Sequence, residues 1–124
     1  MSLSDVLWVA LAGSAGAAAR FVLDGTIRVH WATRVPVGTI AINLAGSWLL
    51  GLLTGMVVFH HASAEIVLVA GTGLCGGFTT FSTASFETVR LVQQGELRAA
   101  ATTLAMTVAG TLAAATVGMA LAAL

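Results

Sequence analysis

From Pro36 to Phe59, and again from Ala99 to Leu124, the chain runs without one Asp, Glu, Lys or Arg. Each run is long enough to cross a hydrocarbon layer about 30 Å thick at about 1.5 Å per helical residue. Lipid offers no water to an unpaired N–H or C=O, so such a segment must satisfy its backbone within itself, as a helix does. Apolar segments separated by charges number four, at residues 4–26, 36–59, 64–92 and 97–123. The expectation is an all-α membrane protein, one domain of four transmembrane helices occupying residues 1–124. With 58% hydrophobic and 8% charged residues there is little left for a soluble domain. A net charge of +0 leaves neither a nucleic-acid footprint nor a polybasic lipid-binding patch. Asp5 stands where a signal peptide would carry positive charge, so the first span is expected to be retained.

The spans differ in their internal punctuation. The first carries Gly13, Gly16 and an alanine run up to Arg20-Phe21, and a polar connection is expected at Asp24-Gly25, towards which Arg20 can snorkel. The second opens with Pro36, suited to a first helical turn, and sets Thr39, Asn43 and Ser47 four residues apart on one face. Gly51 and Gly55 follow at the same spacing, which favours close helix contact. The third holds Gly71, Gly73, Gly76 and Gly77, too many for one undisturbed helix, so a break is expected near residues 73–80. The fourth places Thr103, Thr107 and Thr111 along one side. Cys75 reads as a small apolar spacer and His60-His61 as a solvated connection.

The basic residues are unevenly distributed. Arg28 and Arg34 fall near the first connection, and Arg90 and Arg98 flank the third; the opposite side, with both termini, His60, His61 and Glu65, has no arginine or lysine. The positive-inside tendency then puts the first and third connections in the cytoplasm and both termini outside, in a multi-pass protein of a microbial cell membrane.

Residues 76–87 are the most specific stretch: Gly76-Gly77-Phe78-Thr79-Thr80-Phe81-Ser82-Thr83-Ala84-Ser85-Phe86-Glu87. A run of hydroxyls at membrane depth serves helix packing, an ion or a pathway. Taken with Gly16 to Arg20-Phe21, with Pro36-Val37-Gly38-Thr39, and with Asn43 and Gly46-Ser47, it makes the chain resemble the Fluc/CrcB family of fluoride channels over nearly its whole length. The resemblance implies passive export of fluoride and resistance to its toxicity, and a dimer of antiparallel subunits with pores lined by both chains. It also implies a central structural sodium ion, held by backbone carbonyls that map onto Gly76 and Thr79. The residues themselves allow this, but taken alone they favour glycines that merely let helices cross; it is the resemblance that tips the reading to the ion.

A fluoride pathway must replace water with hydrogen-bond donors while excluding larger anions by width. Asn43 offers an amide, Ser82 and Thr83 offer hydroxyls, and Phe81 can present the positive edge of its ring. Arg20 and Glu87 approach the same expected cytoplasmic face, where they would shape a vestibule or pair with one another; Thr39 and Thr107 are supporting polar positions. Of the two family phenylalanines three residues apart, the first maps onto Phe81 and the second onto Ala84, a departure. The tyrosine often found in the family's fourth span is also absent. Together with the strong arginine bias, these departures favour an antiparallel heterodimer with a homologous subunit over a homodimer. The competing classes are a small multidrug-resistance-type cation exporter and a non-transporting assembly subunit. The first needs an acid inside the first span, and Val6 to Ala19 has none. No nucleophile-base pair or metal-ligand cluster suggests an enzyme.

Overall fold

The computed structural model describes residues 1–124, in which four helical stretches are long and apolar enough to cross a membrane. We label α1 Leu3–His30, α2 Val37–His60, α3 residues 64–78, α4 Phe81–Gln93 and α5 Leu97–Ala122. Together α3 and α4 make the third span, interrupted between them. Only 18 of 124 residues are buried, and they include Ala84, Ala99, Ala100 and Ala122. The interior is therefore built from small side chains and backbone, as expected where lipid is as apolar as leucine.

Two seams organise the bundle. In one, α1 lies along α3; in the other, α2 lies along the second half of α5, while α4 packs on the first half of α5. The α2–α5 crossing depends on Gly51 and Gly118. A Cβ on Gly51 would run into the carbonyl of Ala115, and one on Gly118 into the carbonyl of Trp48. The two backbones thus touch where a side chain would hold them apart.

The helix starts follow from local chemistry. Ser2 and Asp5 form a reciprocal capping box on α1, with Asp5 N–H donating to Ser2 Oγ at 3.2 Å and Ser2 N–H to Asp5 Oδ2 at 2.7 Å. Thr80 caps α4 by accepting the Thr83 N–H at 3.2 Å. No side chain caps α2, because Pro36 occupies the N-cap position and not the first turn. Its opening amides consequently lack helical partners.

Two expectations need correction, and a third, the break near residues 73–80, is narrowed. The Asp24-Gly25 connection is instead part of α1, which continues to His30. Arg28 bonds Asp24 Oδ2 one turn away, and Thr26 donates to the Val22 carbonyl, so these polar residues find partners without ending the helix. The break of the third span is at Thr79-Thr80, where the backbone is extended. Before it, Gly71 and Gly73 stay helical in wide π-type turns over Val67–Cys75 and Gly76 and Gly77 in the α-helical turn that follows, and Gly73 and Gly77 let α3 touch α1. His60 is not simply solvated: its Nε2 lies 2.6 Å from the Ala122 carbonyl and ties the end of α2 to the end of α5.

Candidate functional site

The break between α3 and α4 is held from the side by α2. Asn43, 5% exposed, spends both ends of its amide on Thr80: Nδ2 donates to the Thr80 carbonyl at 2.8 Å, and Oδ1 accepts the Thr80 N–H at 2.8 Å. In a continuous helix the Thr80 N–H would serve Gly76 O and the Thr83 N–H would serve Thr79 O. Here the first goes to Asn43 and the second to Thr80 Oγ1. The usual donors of the Gly76 and Thr79 carbonyls are therefore engaged elsewhere. These are the two carbonyls the resemblance singles out, and Gly76 stands exposed with open space where a Cβ would be. Unsatisfied carbonyl oxygens are suitable ligands for a hard cation, so the residues present fit a sodium ion. Two carbonyls are far short of a full shell.

Beside the break is a cavity of about 150 Å³ among α1, α2 and α4, lined by Arg20, Asp24, Thr39, Ile42, Thr80 and Thr83 with Ala17 and Phe21. Its polar groups are poorly partnered. Thr39 is 2% exposed yet its hydroxyl has no hydrogen-bond partner, and the same holds for Arg20 Nε and Asp24 Oδ1. Thr80 Oγ1 donates to Thr83 Oγ1 at 3.0 Å, which leaves the Thr83 hydroxyl hydrogen free. The uncapped start of α2 adds the positive end of a helix dipole next to Thr39. An anion entering here meets donors from α1, α2 and α4, and also the Asp24 carboxylate, which opposes it unless Arg20 and the start of α2 outweigh that charge.

Glu87 does not pair with Arg20. It takes a 2.6 Å contact from Arg28 Nη2, while Arg28 Nε holds Asp24 Oδ2 at 2.8 Å. The correction has a simple cause: α1 extends to His30 and so carries Arg28 to Glu87, whereas Arg20 lines the cavity. Phe81 and Ser82 are on the exposed face of α4, Phe81 76% exposed. The Thr107 hydroxyl donates to its own helix at the Thr103 carbonyl, 2.7 Å away. Ala84 is 1% exposed, enclosed within the protomer.

Sequence reading missed Asp24, Arg28 and Thr80 as members of this site. Asp24 and Arg28 carried a signal in their one-turn spacing, and Thr80 in its place three residues before Thr83, the spacing of a helix cap.

A family described as CrcB-like protein, Camphor Resistance (CrcB) matches residues 7–119, nearly the entire bundle. The chain belongs to the CrcB family. Similar CrcB relatives include "Fluoride-specific ion channel FluC 2" of Cutibacterium acnes, 49% identical over 88% of this chain and 90% of the relative. "Fluoride-specific ion channel FluC 1" of Leifsonia xyli is 53% identical over 77% of this chain and 69% of its own length. "Fluoride-specific ion channel FluC" of Pyrococcus furiosus is 43% identical over 77% of each. The CrcB match covers all but the first turn of α1, all of α2, the Asn43–Thr80 clasp and the cavity beside it.

Proposed function

We propose that this protein is a fluoride-specific channel that lets fluoride leave the cell passively, and that the cavity beside the helix break is its inner vestibule. The observation that carries this reading is that two residues with unpartnered buried donors, Thr39 and Arg20, line one cavity inside an apolar bundle; the unpaired Asp24 Oδ1 of the same lining is the charge they must outweigh. Buried donors left unpaired cost free energy, and a small anion would satisfy them. The names borne by the CrcB relatives point to the same ion.

In this reading the Arg20 guanidinium draws fluoride from the mouth, and the Thr39 and Thr83 hydroxyls replace part of its water. Asn43 keeps one amide hydrogen beyond the one given to Thr80, fixed in the plane of the amide and open to an ion that approaches it there. Ser82 and the ring edge of Phe81 carry the route onto the exposed face of α4, where a second subunit must close it. The structural sodium ion would be held by the carbonyls of Gly76 and Thr79 together with the equivalent pair from an antiparallel subunit. Its charge would supply what the backbone lacks at the break.

The partner in this proposal is a homologous subunit inserted the other way. Every arginine, Arg20, Arg28, Arg34, Arg90 and Arg98, lies towards the end that carries the first and third connections, and the chain has no lysine, which favours one insertion. That orientation places both termini outside the cell membrane. Enclosure of Ala84 within the protomer also favours a partner that supplies the second aromatic position.

The test is efflux from liposomes loaded with fluoride, chloride or an organic cation, with this chain alone and with a co-expressed, oppositely inserted homologue. Fluoride efflux selective over chloride and greatly enhanced by the homologue is expected. Robust fluoride efflux from this chain alone would defeat the partner requirement, and organic-cation flux without fluoride flux would favour the exporter class. Reporter fusions at the carboxyl terminus check the orientation.

A further inference from the structure

The Asn43–Thr80 clasp and the free Gly76 carbonyl are connected by one hydrogen atom. The Thr80 N–H has one acceptor in the extended backbone, Asn43 Oδ1 at 2.8 Å, and a second, Gly76 O, that becomes its partner only if Thr79 turns helical. Asn43 is 5% exposed and also binds the Thr80 carbonyl, so Thr80 is fixed from both sides of its backbone by a side chain of a different helix. At membrane depth an N–H without a partner is too costly to persist. Were the amide removed, the Thr80 N–H would return to Gly76 O and the break would begin to rewind.

We infer that Asn43 is a positioning residue for the cation seat: by holding the Thr80 N–H it keeps the Gly76 carbonyl available to a metal ion. The inference rests on the sodium reading above. The sodium ion and the Thr80 N–H compete for the same oxygen, and Asn43 biases that competition towards the ion. The side chain required has one acceptor and one donor at a single planar end. Asparagine meets this, and so does aspartic acid in its protonated form, so Asn43→Asp is compared at acid as well as neutral pH. Leucine has a similar shape and neither group.

The roles separate because a neutral carboxyl has one hydrogen where the amide has two. Asn43→Asp can rebuild the clasp on Thr80 but has no second hydrogen to give an anion. It should keep the sodium response while losing fluoride flux; Asn43→Leu should lose both.

The experiment is thermal unfolding of the purified protein, with its partner subunit where one is required, titrated with sodium chloride against choline chloride at constant ionic strength. The unaltered protein is expected to unfold at a temperature that rises with sodium. In Asn43→Leu the sodium concentration needed for half of that rise should increase at least about tenfold, the effect of one hydrogen bond competing for the carbonyl. Asn43→Asp at acid pH should respond to sodium much as the unaltered protein does. Asn43→Leu with an undiminished sodium response, or a folded Asn43→Asp without one at acid pH, would overturn the inference while leaving the sodium site standing. An unaltered protein indifferent to sodium would overturn both. If Asn43→Leu does not fold, the sodium response of Asn43→Asp decides alone.

Discussion

One guanidinium, that of Arg28, holds two carboxylates on different helices: Asp24 of α1 at 2.8 Å and Glu87 of α4 at 2.6 Å. Neither carboxylate has another ion-pair partner. The Glu87 side chain is 13% exposed, so the arrangement is asymmetric: losing Arg28 strands two negative charges, while losing Glu87 leaves one intact pair.

Arg28→Ala should therefore destabilise the protein by about 1–2 kcal/mol, a value moderated by the partial exposure of Arg28. Glu87→Gln should cost less. In the Glu87→Gln background the loss from Arg28→Ala should shrink, and a thermal-unfolding double-mutant cycle measures this coupling.

Thr39→Val separates function from folding. Its hydroxyl bonds nothing, so replacing it with a methyl should leave the unfolding temperature unchanged or raise it. If the cavity is the vestibule, fluoride efflux should fall about tenfold, roughly the value of one hydrogen bond to a charged group. Wild-type flux from a stable Thr39→Val protein would remove the cavity from the pathway.

Glycine substitutions should divide sharply by position. Gly51→Val drives a side chain into the Ala115 carbonyl and should abolish the α2–α5 seam, seen as loss of folded protein on size-exclusion chromatography. Gly25→Ala meets nothing within 4 Å and should stabilise α1 by about 0.5–1 kcal/mol, since alanine is the better helix former.

Gly76→Ala is the informative third case. Nothing in the protomer lies within 4 Å of the added methyl, so its own helix pair tolerates it. A defect in dimer formation or in sodium-dependent unfolding would then arise outside the protomer, at the partner or the ion. Sedimentation in detergent at several sodium concentrations distinguishes this from a folding defect.

The four spans were legible because the long charge-free runs leave the backbone few choices in lipid. The ends were less so. A hydropathy reading treats Asp24 as the edge of a helix, whereas Asp24 and Arg28 cancel each other one turn apart and let α1 run on to His30. Glycine was equally ambiguous: at Gly73 and Gly77 it serves contact with α1, and the backbone departs from the helix only at Thr79 and Thr80, whose types do not announce it. Asn43 was visible as a polar group in an apolar helix. That both its atoms would be used by Thr80, thirty-seven residues later, depends on how the helices lie together and on nothing local.

The free carbonyls at the break also bear on the life of the chain before assembly. A lone protomer would show lipid the Gly76 and Thr79 oxygens and the hydroxyl-bearing start of α4, and each unsatisfied backbone group in hydrocarbon costs several kcal/mol. Such a chain is a poor resident of the bilayer until something covers that face. In the proposed assembly, where a second subunit covers that face, the steady amount of this chain would follow the supply of that subunit. The broken span would then count subunits as well as shape the fold.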